Sequence, residues 1–435
     1  MQKKRVYIKT FGCQMNVYDS ERILRVLTPE YESTPSIQDA DLVLFNTCSV
    51  REKAEHKIMS DLGRLTALKK KKPHVLIGVG GCVARQEGEK LLKKAKHLDL
   101  VFGVDQLEEL PRLVKQARDE RLAETSFKQE YSFYAVNTIA DKKSFDKISS
   151  YVSIIQGCEK PCTFCIVPTT RGFEKSRSKE EILNEVNSLV DAGTQEVVLL
   201  GQNVNAYRTD STSFEELVES IHNVGRLRYI TSHPNDVSEE MVKLHKNHEK
   251  LCEHIHMPIQ SGSNNTLKHM ARLYTKEEYL EKVAHIRNEV PDISITSDII
   301  VGFPGETDKD FEETLDAINQ AQFDHVFAFK YSPRPGTPSQ EKFSDDVSEE
   351  EKDRRLQKIF KLIQEISFKK NQAFVGKYMS VLVEGPSKNN EKKLTGRTRN
   401  NRIVNFEGSI TLKGQEIPIR ITSARAVALE GHLTS

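Results

Sequence analysis

The sequence lacks any run approaching the roughly 18 consecutive apolar residues that a membrane-spanning helix requires. No apolar stretch of signal-peptide type follows the charged start at Met1–Lys4, so we expect a cytoplasmic protein without a membrane partner. Internal repeats and low-complexity tracts are absent, which excludes solenoid and collagen-like architectures. Net charge is nearly absent as well, because 64 Lys and Arg residues oppose 63 Asp and Glu residues. The chain as a whole therefore has no strong electrostatic preference, although one local face can still be basic.

Cysteine is scarce, with seven among 435 residues. An odd number without an export signal argues against disulfides, and metal or catalytic use is the better expectation. Six of the cysteines form two groups of three. The seventh, Cys252, stands alone, and a packed thiol is its default interpretation.

The first 120 residues alternate short apolar runs with amphipathic helical patterns, which predicts an open parallel sheet with crossover helices. The predicted strands are Val6–Phe11, Leu42–Asn46, Val75–Val79 and Leu100–Phe102, and the predicted helices are Tyr18–Leu27, Arg51–Lys70 and Arg85–Lys94. A polar stretch at Thr125–Ser149 predicts a linker.

A second alternating series occupies residues 144–372 and predicts a partial (β/α)6 barrel, two units short of a full TIM barrel. Its predicted strands are Tyr151–Ile155, Glu196–Leu200, Leu227–Thr231, His254–Pro258, Ile293–Val301 and His325–Tyr331. A long charged helix is predicted at Ser348–Ala373. The overall fold class is α/β.

Residues 373–435 change character, with short β-like runs between regularly spaced glycines, and predict a small all-β barrel. The predicted strands here are Met379–Glu384, Ile403–Asn405, Ile410–Leu412 and Ile417–Thr422. From Asn371 onward, ten Lys and Arg residues oppose five Glu and no Asp. The candidate RNA-phosphate contacts are Arg397, Arg399 and Arg402, the densest positive stretch; a merely solvated basic surface is the alternative.

Cys158, Cys162 and Cys165 form a C-x3-C-x2-C loop directly behind the first strand of the second series. Active sites of barrels form at the carboxyl ends of their strands. A structural zinc ion takes four ligands, and no fourth Cys or His lies within 20 residues of the loop. Three thiolates therefore favour a [4Fe–4S] cluster with one open iron, with a structural zinc loop as the alternative.

Cys13, Cys48 and Cys82 each follow a predicted strand of the first series, at intervals of 35 and 34 residues. Each interval is one strand–helix unit, so the three thiols should emerge at the carboxyl edge of one parallel sheet, where open α/β sheets bind ligands. We expect a second cluster with an open iron here. Three buried core cysteines are the alternative.

The C-x3-C-x2-C loop, with Phe164 before its third cysteine, resembles the radical S-adenosylmethionine (SAM) superfamily. The resemblance implies that the open iron chelates SAM and that one electron cleaves SAM to a 5′-deoxyadenosyl radical. It also implies SAM contacts at strand ends, for which the candidates are Gly201, Gln202, Asn203, Gln260, Ser261 and Gly302. Arg171 is a candidate partner of the SAM carboxylate or a tRNA phosphate, or else a surface arginine.

The two cysteine groups, in this order and followed by a small basic barrel, resemble the methylthiotransferases over essentially the whole chain. That resemblance implies an N-terminal methylthiotransferase domain at 1–120, a radical SAM core at 144–372 and a TRAM domain at 373–435. The segments "TFGCQMNVYDSE", "NTCSVREKAEHK", "YITSHP", "HMPIQSGSN" and "YSPRPGTP" are similar to the branch that acts on N6-isopentenyladenosine in tRNA. One segment departs: "HMARLYT" stands where that branch commonly has "MKRGYT" or "MNRGYT", and a glycine is lost.

The resemblance implies two [4Fe–4S] clusters, with SAM as both methyl donor and radical source, and methylthio transfer to C2 of an adenosine next to the anticodon. The implied partners are tRNA, SAM, an electron donor such as flavodoxin or ferredoxin, and a sulfur or cluster donor. The alternatives are methylthiolation of threonylcarbamoyl adenosine or of a ribosomal protein. A zinc-containing RNA-binding protein is the alternative from another class.

Overall fold

The computed structural model describes residues 3–49, 52–128, 147–388 and 390–433. The chain forms two units. The N-terminal unit comprises the described residues up to 128 with 151–159 and 166–188, and the C-terminal unit comprises 147–150, 160–165 and the described residues from 189 onward. Within the described ranges, no helix combines the length and the apolar character needed to cross a membrane.

The N-terminal unit is built on a six-stranded parallel sheet with the order β2-β1-β3-β4-β5-β6. The strands are β1 Lys4–Thr10, β2 Tyr31–Ser33, β3 Leu42–Thr47, β4 Leu76–Gly81, β5 Leu100–Phe102 and β6 Leu122–Glu124. The helices between them are α1 Gln14–Leu27, α2 Glu52–Lys71, α3 Cys82–Glu87, α4 Glu89–Lys94 and α5 Leu110–Gln116. All four predicted strands are confirmed. The edge strands β2 and β6 are three residues each, too short for the apolar pattern to reveal.

Strands β3 and β4 are buried along their whole length, because helices cover both faces of the sheet. Alternate residues point to opposite faces, so Val43 and Phe45 enter one apolar cluster while Leu42 and Leu44 enter another. The sheet therefore has an apolar core on each of its two faces.

In this region one predicted helix is wrong in its extent, and one predicted linker lies mostly outside the described residues. The predicted helix Arg85–Lys94 is broken into α3 and α4 at Gly88, whose φ of +50° interrupts the helix. The predicted linker Thr125–Ser149 lies mostly outside the described residues, since 129–146 are not described.

The middle of the chain contains all six predicted strands, arranged as two three-stranded sheets of order β13-β10-β7 and β14-β15-β16. The strands are β7 Ser149–Ser153, β8 Ile155–Gln156, β9 Lys175–Ser176, β10 Glu196–Leu200, β11 Arg208–Thr209, β12 Thr212–Ser213, β13 Arg226–Ile230, β14 His254–His256, β15 Ser294–Val301 and β16 His325–Lys330. The helices are α6 Val167–Arg171, α7 Lys179–Asp191, α8 Phe214–Glu219, α9 Glu239–Asn247, α10 Asn264–His269, α11 Lys276–Glu289, α12 Asp308–Ala321, α13 Pro338–Lys342 and α14 Glu349–Gln372.

Hydroxyl side chains fix where most of these helices begin. Ser213, Ser238, Thr275, Thr307 and Ser348 each accept a hydrogen bond from a backbone amide in the first turn of the helix that follows. This capping satisfies amides that have no partner within the helix. Each cap therefore fixes the end of the loop that leads into its helix.

The C-terminal segment forms a closed five-stranded barrel of order β17-β18-β19-β21-β20, as predicted. Its strands are β17 Tyr378–Ser387, β18 Asn390–Thr398, β19 Ile403–Phe406, β20 Glu416–Ala424 and β21 Ala428–Leu433. The predicted strand Ile410–Leu412 is wrong: these residues form a 3-10 turn with exposed Ile410. Strand β18 escapes prediction because its sequence, NEKKLTGRT, is mostly polar.

Candidate cluster-binding sites

The topology of the N-terminal sheet brings three cysteines to one edge. The strand order changes direction between β1 and β3, and open α/β sheets bind ligands at such a switch point, outside the carboxyl ends of the strands. Cys13 follows β1, Cys48 follows β3 and Cys82 follows β4, and these three strands are neighbours in a parallel sheet. We call these three residues the N-terminal trio.

Gly12 allows Cys13 and Cys48 to approach closely. Its φ is +108°, and a Cβ at this position would lie 2.1 Å from Cβ and 2.7 Å from Sγ of Cys48. Any side chain at residue 12 would therefore displace Cys48. The glycine before the first cysteine is required by space as well as by backbone conformation.

A buried amide network holds the turn that carries Cys13. Asn16 is fully buried and donates to Asn46 Oδ1 (3.1 Å) and to the Thr47 carbonyl (2.8 Å), while Asn46 donates back to the Asn16 carbonyl (2.8 Å). The Cys13 thiol lies 3.2 Å from Asn16 Oδ1. These bonds tie the start of α1 to the end of β3, so the sheet fixes two of the three cysteines relative to each other.

The electrostatics at the trio favour a thiolate. The hydrogen bond with Cys48 lowers the pKa of Cys13 to about 6, and the positive charge of Arg171 acts in the same direction against the effect of burial. Thiolate is the form of cysteine that binds metal. Cys48 and Cys82 are 1% and 5% exposed.

Arg171, the last residue of α6, is buried beside the trio. Its Nη2 donates to Asp19 Oδ2 at 2.7 Å, whereas its Nη1 is buried without a hydrogen-bond partner among the described residues. An unpaired buried donor of this kind costs about 1–3 kcal/mol. An acceptor next to the cysteines would remove that cost.

These observations fit a cluster better than a single closed metal ion. Among the described residues, no three His, Cys, Asp or Glu side chains lie close enough together to bind one ion. An iron–sulfur cube asks for something else, namely one thiolate for each of three irons. The three cysteines on one sheet edge meet that requirement. The lowered pKa of Cys13 and the buried donor of Arg171 are consistent with a negatively charged group there.

The cysteines of the C-x3-C-x2-C loop belong to different units. Cys158, in the N-terminal unit, donates its backbone N–H to the Gly172 carbonyl at 3.2 Å. Gly157 before it has a φ of +86°, and a Cβ there would meet the Phe173 carbonyl oxygen at 2.0 Å. Backbone packing thus holds the start of the loop against the end of α6.

Cys162 and Cys165 lie in the C-terminal unit, where a buried arginine contacts Cys162. Arg272 Nη1 donates to Cys162 Sγ at 3.1 Å, and its other nitrogens donate to the Pro258 carbonyl (2.9 Å) and to Tyr274 Oη (2.9 Å). Burial opposes the charge of Arg272, but Tyr274 and Cys162 raise its pKa above the ordinary value. The buried guanidinium therefore fixes the position of the Cys162 sulfur.

Arg272 was not among the residues predicted from the sequence to form the site, although the segment "HMARLYT" that contains it departs from the family pattern. Ala271 and Leu273 flank Arg272 with φ values of +54° and +58°. The backbone of both residues is therefore in the left-handed region that favours glycine. The lost glycine of "HMARLYT" corresponds to Leu273, so the unusual backbone is kept here without the residue that usually makes it easy.

The six candidate SAM contacts all lie at or near strand ends, but several of their polar atoms are already bonded within the protein. Asn203 donates to Asp236 Oδ2 (2.6 Å) and accepts from the His233 amide (3.0 Å). Ser261 accepts from the Ser263 amide at 3.2 Å. The Gly302 amide donates to Glu306, and a Cβ at Gly302 would meet Lys352 at 2.3 Å.

The remaining three candidates follow strand β10 or lie near β15. Gly201 and Gln202 come directly after β10, with Gly201 buried. Gln260 is 9% exposed, has a φ of +72°, and its backbone bridges to β15 through Asp298 and Ile300. All six residues stay predictions as SAM contacts.

The three arginines predicted to contact RNA are engaged inside the C-terminal unit. Arg399 contacts Glu253 at 2.7 Å and the Leu251 carbonyl at 2.6 Å, and Arg402 is bonded to Asp324 and Asn371. Arg397 pairs with Glu384 at 2.9 Å. Their role toward RNA stays a prediction. In the structure, Arg399 and Arg402 attach the barrel to the preceding domain, whereas Arg397 pairs within the barrel.

Cys252 behaves as the sequence suggests for a lone cysteine. It is 1% exposed, and burial raises the pKa of its thiol to about 11. It is therefore a packed, protonated thiol apart from both cysteine groups, and it offers a natural control for experiments on them.

Known families match three successive parts of the chain. Residues 5–103 match the Uncharacterized protein family UPF0004, residues 152–318 match the Radical SAM superfamily, and residues 372–434 match the TRAM domain. In fold, the chain is similar to the radical S-adenosylmethionine methyltransferase TsrM from Kitasatospora setae, solved with cobalamin and a [4Fe-4S] cluster bound. That likeness has a TM-score of 0.55 at 15% identity and covers 78% of this chain and 77% of the other.

Curated relatives match from end to end. The tRNA-2-methylthio-N(6)-dimethylallyladenosine synthase of Syntrophus aciditrophicus is 45% identical over 442 residues, which cover 100% of this chain and 95% of the relative. The synthase of the same name from Thermodesulfovibrio yellowstonii is 45% identical over 439 residues, which cover 100% of both chains.

The fold, the cysteine loop and the superfamily match define a radical SAM protein with a TRAM barrel, as the sequence predicted. Within that class, the chain belongs to the family of tRNA-2-methylthio-N(6)-dimethylallyladenosine synthases.

Proposed function

We propose that this protein transfers a methylthio group to C2 of N6-dimethylallyladenosine in tRNA, next to the anticodon. Membership of the synthase family supports the reaction and the substrate. The structural observation that carries the proposal is the N-terminal trio, placed behind three neighbouring parallel strands at the switch-point edge. This site is additional to the C-x3-C-x2-C loop, and a transfer of sulfur requires a place to hold sulfur.

In this proposal each cysteine group holds one [4Fe–4S] cluster. Cys158, Cys162 and Cys165 hold the cluster that binds SAM, and the N-terminal trio holds an auxiliary cluster. Such a cluster, when bound with one open iron, supplies the electron that cleaves SAM and a coordination position for substrate sulfur.

The protein's own groups prepare the thiols for that task. Arg272 fixes the orientation of Cys162 Sγ through its hydrogen bond to the sulfur. Asn16 and Asn46 fix the turn of Cys13, and Gly12 lets Cys48 approach. Around the loop, Gly201, Gln202, Asn203, Gln260, Ser261 and Gly302 are the proposed SAM contacts. Several of these act through backbone atoms or through neighbours, since their side chains are already bonded.

The proposed partners follow from the chemistry. The TRAM match and the family name support tRNA as the macromolecular substrate, with SAM as cosubstrate. Reductive cleavage of SAM requires an electron donor such as flavodoxin or ferredoxin, and each turnover requires a sulfur or cluster donor. The reaction belongs in the cytoplasm, where tRNA is modified.

The decisive test is anaerobic metal analysis combined with turnover on defined tRNA. Two clusters predict about eight irons per chain, and the zinc alternative predicts bound zinc instead. Turnover is measured on tRNA carrying N6-dimethylallyladenosine and, in parallel, on tRNA carrying threonylcarbamoyl adenosine and on ribosomal protein. We expect the methylthio product only from the first. Methylthio product from either of the other two would show that the proposed substrate is wrong.

Cysteine variants separate the two sites. Replacing Cys158, Cys162 and Cys165 by Ala should abolish 5′-deoxyadenosine formation and leave about four irons. Replacing the N-terminal trio by Ala should also leave about four irons but keep SAM cleavage and lose the methylthio product. Cys252→Ala is the matched control, because it removes a cysteine outside both groups and should keep the full iron content and the product. Undiminished product after loss of the N-terminal trio would reject the auxiliary site.

A further inference from the structure

The guanidinium of Arg171 is buried at the N-terminal trio with one hydrogen-bonding position unused. The side chain of Arg171 and that of Asp19 are each 3% exposed, and the pair is joined through Nη2 at 2.7 Å. Nη1 is buried without a partner among the described residues. A charged donor that has lost water and gained no acceptor is costly, so an acceptor belongs there.

The position of Arg171 in the fold identifies where that acceptor must lie. Helix α6, which ends at Arg171, packs against α3, which begins at Cys82. Asp19 comes from α1, whose N-cap residue is Cys13. The guanidinium is therefore held between the starts of the two helices that carry two cysteines of the trio.

Electrostatic coupling agrees with this placement. Burial opposes the charge of Arg171, yet Asp19 and then the thiols of Cys82 and Cys13 raise its pKa well above the ordinary value. Arg226, another buried arginine, differs: its Nε has no partner among the described residues, but both of its Nη atoms donate to the protein.

We propose that Arg171 Nη1 is the donor of a binding site for a sulfur anion at the N-terminal trio, with Asp19 holding the guanidinium in place. The ligand class is sulfide-like: an anionic sulfur atom that is either an inorganic sulfide of the auxiliary cluster or a hydrosulfide bound beside it. A guanidinium suits this ligand because it stays charged when buried and makes strong charge-assisted bonds to anions. The inference rests on the proposed function and adds to it the residue that recognises the sulfur.

The test uses the full chain in which Cys158, Cys162 and Cys165 are replaced by Ala, so that only the N-terminal trio holds iron. The probe is sodium sulfide, titrated anaerobically against the electron paramagnetic resonance spectrum of the reduced cluster. The cluster's midpoint potential is measured without added sulfide. The two measurements distinguish the sources, because only a separately bound hydrosulfide depends on added sulfide.

The main variant replaces both members of the ion pair, Arg171→Gln with Asp19→Asn, so that no buried charge is left alone. We expect the sulfide dissociation constant to rise about tenfold or more if hydrosulfide is the ligand. If the cluster's own sulfide is the ligand, the ratio of reduced to oxidised cluster at a fixed potential should fall about tenfold, or about 59 mV for one electron. Lys69→Gln with Asp99→Asn is the matched control, since it removes an ion pair of the same unit (2.7 Å) at the amino ends of β4 and β5, opposite the cysteines, and it should change neither quantity by more than a small fraction of this.

Arg171→Lys serves where the double variant takes up too little iron. It keeps the charge but carries all its donors on one nitrogen, so it cannot reproduce the two separate directions in which the guanidinium donates to Asp19 and to the sulfur. It should therefore show the same change to a smaller degree. A variant with unchanged sulfide affinity and unchanged potential would overturn the inference and leave Arg171 as a structural partner of Asp19. A parent chain that bound no iron at the N-terminal trio would overturn the proposed function, and the inference with it.

Discussion

At the scale of single residues, a buried arginine acts on each of the two cysteine groups. Arg171 is coupled to Cys13 and Cys82, and Arg272 donates to Cys162. Three thiolates in a buried place carry negative charge that needs compensation, and an arginine provides it without losing its proton. Hydrogen bonds to cluster sulfurs and nearby charge also set reduction potentials.

The contact between Arg272 and Cys162 predicts a redox effect. In a full chain with the N-terminal trio replaced by Ala, Arg272→Gln should lower the ratio of reduced to oxidised cluster about tenfold at a fixed potential, or about 59 mV. Redox titration followed by electron paramagnetic resonance measures it. Arg287→Gln is the control, since Arg287 donates to the Gln322 carbonyl at 2.7 Å and not to a cysteine. Equal shifts in both variants would mean that general charge, and not the sulfur contact, is responsible.

The left-handed backbone at Leu273 predicts a gain in stability from a glycine. Leu273 has a φ of +58° and is 67% exposed, so its side chain packs little and its backbone is strained. Leu273→Gly should raise the free energy of unfolding by up to about 1 kcal/mol, because relief of a left-handed conformation outweighs the added freedom of the unfolded chain. Urea unfolding of the holoprotein measures it. Leu273→Val, which is β-branched, should destabilise instead, and a stabilising valine would contradict the strain argument.

At the scale of elements, the turn from β1 into α1 decides whether the N-terminal trio can assemble. Gly12→Ala places a Cβ 2.1 Å from that of Cys48 and forces a non-glycine residue to a φ of +108°. The backbone strain alone costs about 1–3 kcal/mol. We expect loss of about four irons per chain with retention of the C-x3-C-x2-C cluster, measured by iron analysis and SAM cleavage.

The control for this substitution lies in the same unit. Gly63 is in the interior of α2, and a Cβ there would meet nothing within 4 Å. Gly63→Ala should keep all iron and stabilise the protein by about 1 kcal/mol, the usual gain of Ala over Gly in a helix. Iron loss in both variants would show that Gly12→Ala acts through general instability.

The elements also show which parts of the fold the sequence could predict. Long apolar runs behind turn residues, such as Leu42–Thr47 and Glu196–Leu200, were predictable because burial on both faces leaves a continuous apolar signal. Strand β18 was not, since a barrel strand with one solvated face and a polar sequence resembles a loop. The cysteine groups were predictable from spacing, whereas Arg272 was not, because its contact with Cys162 joins residues 110 positions apart.

At the scale of the whole molecule, arginines attach the C-terminal barrel to the preceding domain within the C-terminal unit. Arg228, paired with Glu196 at 2.6 Å, donates to the Thr398 and Arg399 carbonyls (2.7 Å each). Arg226 donates to the Arg397 carbonyl at 2.7 Å and to Glu416 at 2.8 Å. Three cations of the barrel itself, Arg397, Arg399 and Arg402, are also paired with carboxylates, so part of the barrel's positive charge is neutralised inside the protein. Charge counted along the sequence overstates the charge available to RNA.

A different part of the barrel carries cations that face solvent. Lys377, Tyr378 and Arg420 are all exposed, Tyr378 by 61%, and Tyr378 and Arg420 are register partners on β17 and β20. We call these three residues the β17–β20 patch. Exposed cations beside an exposed aromatic ring suit RNA, since the cations meet phosphates and the ring stacks on a base.

We expect different effects on tRNA binding from changes in the β17–β20 patch and from changes in Arg397, Arg399 and Arg402. Lys377→Gln with Arg420→Gln should weaken binding and lower the log–log salt slope by about 0.7 for each lost phosphate contact, without loss of stability. Arg399→Gln removes a partner of Glu253 and should instead lower the unfolding temperature while changing the slope less. The measurement is tRNA affinity across a salt series, with thermal unfolding of each variant in parallel.

A normal slope in the patch variant and a reduced slope in the variant with Arg397→Gln, Arg399→Gln and Arg402→Gln would mean that those three arginines form the RNA-binding face. In that case their ion pairs must open when tRNA binds, because one guanidinium held by a carboxylate cannot fully neutralise a phosphate at the same time.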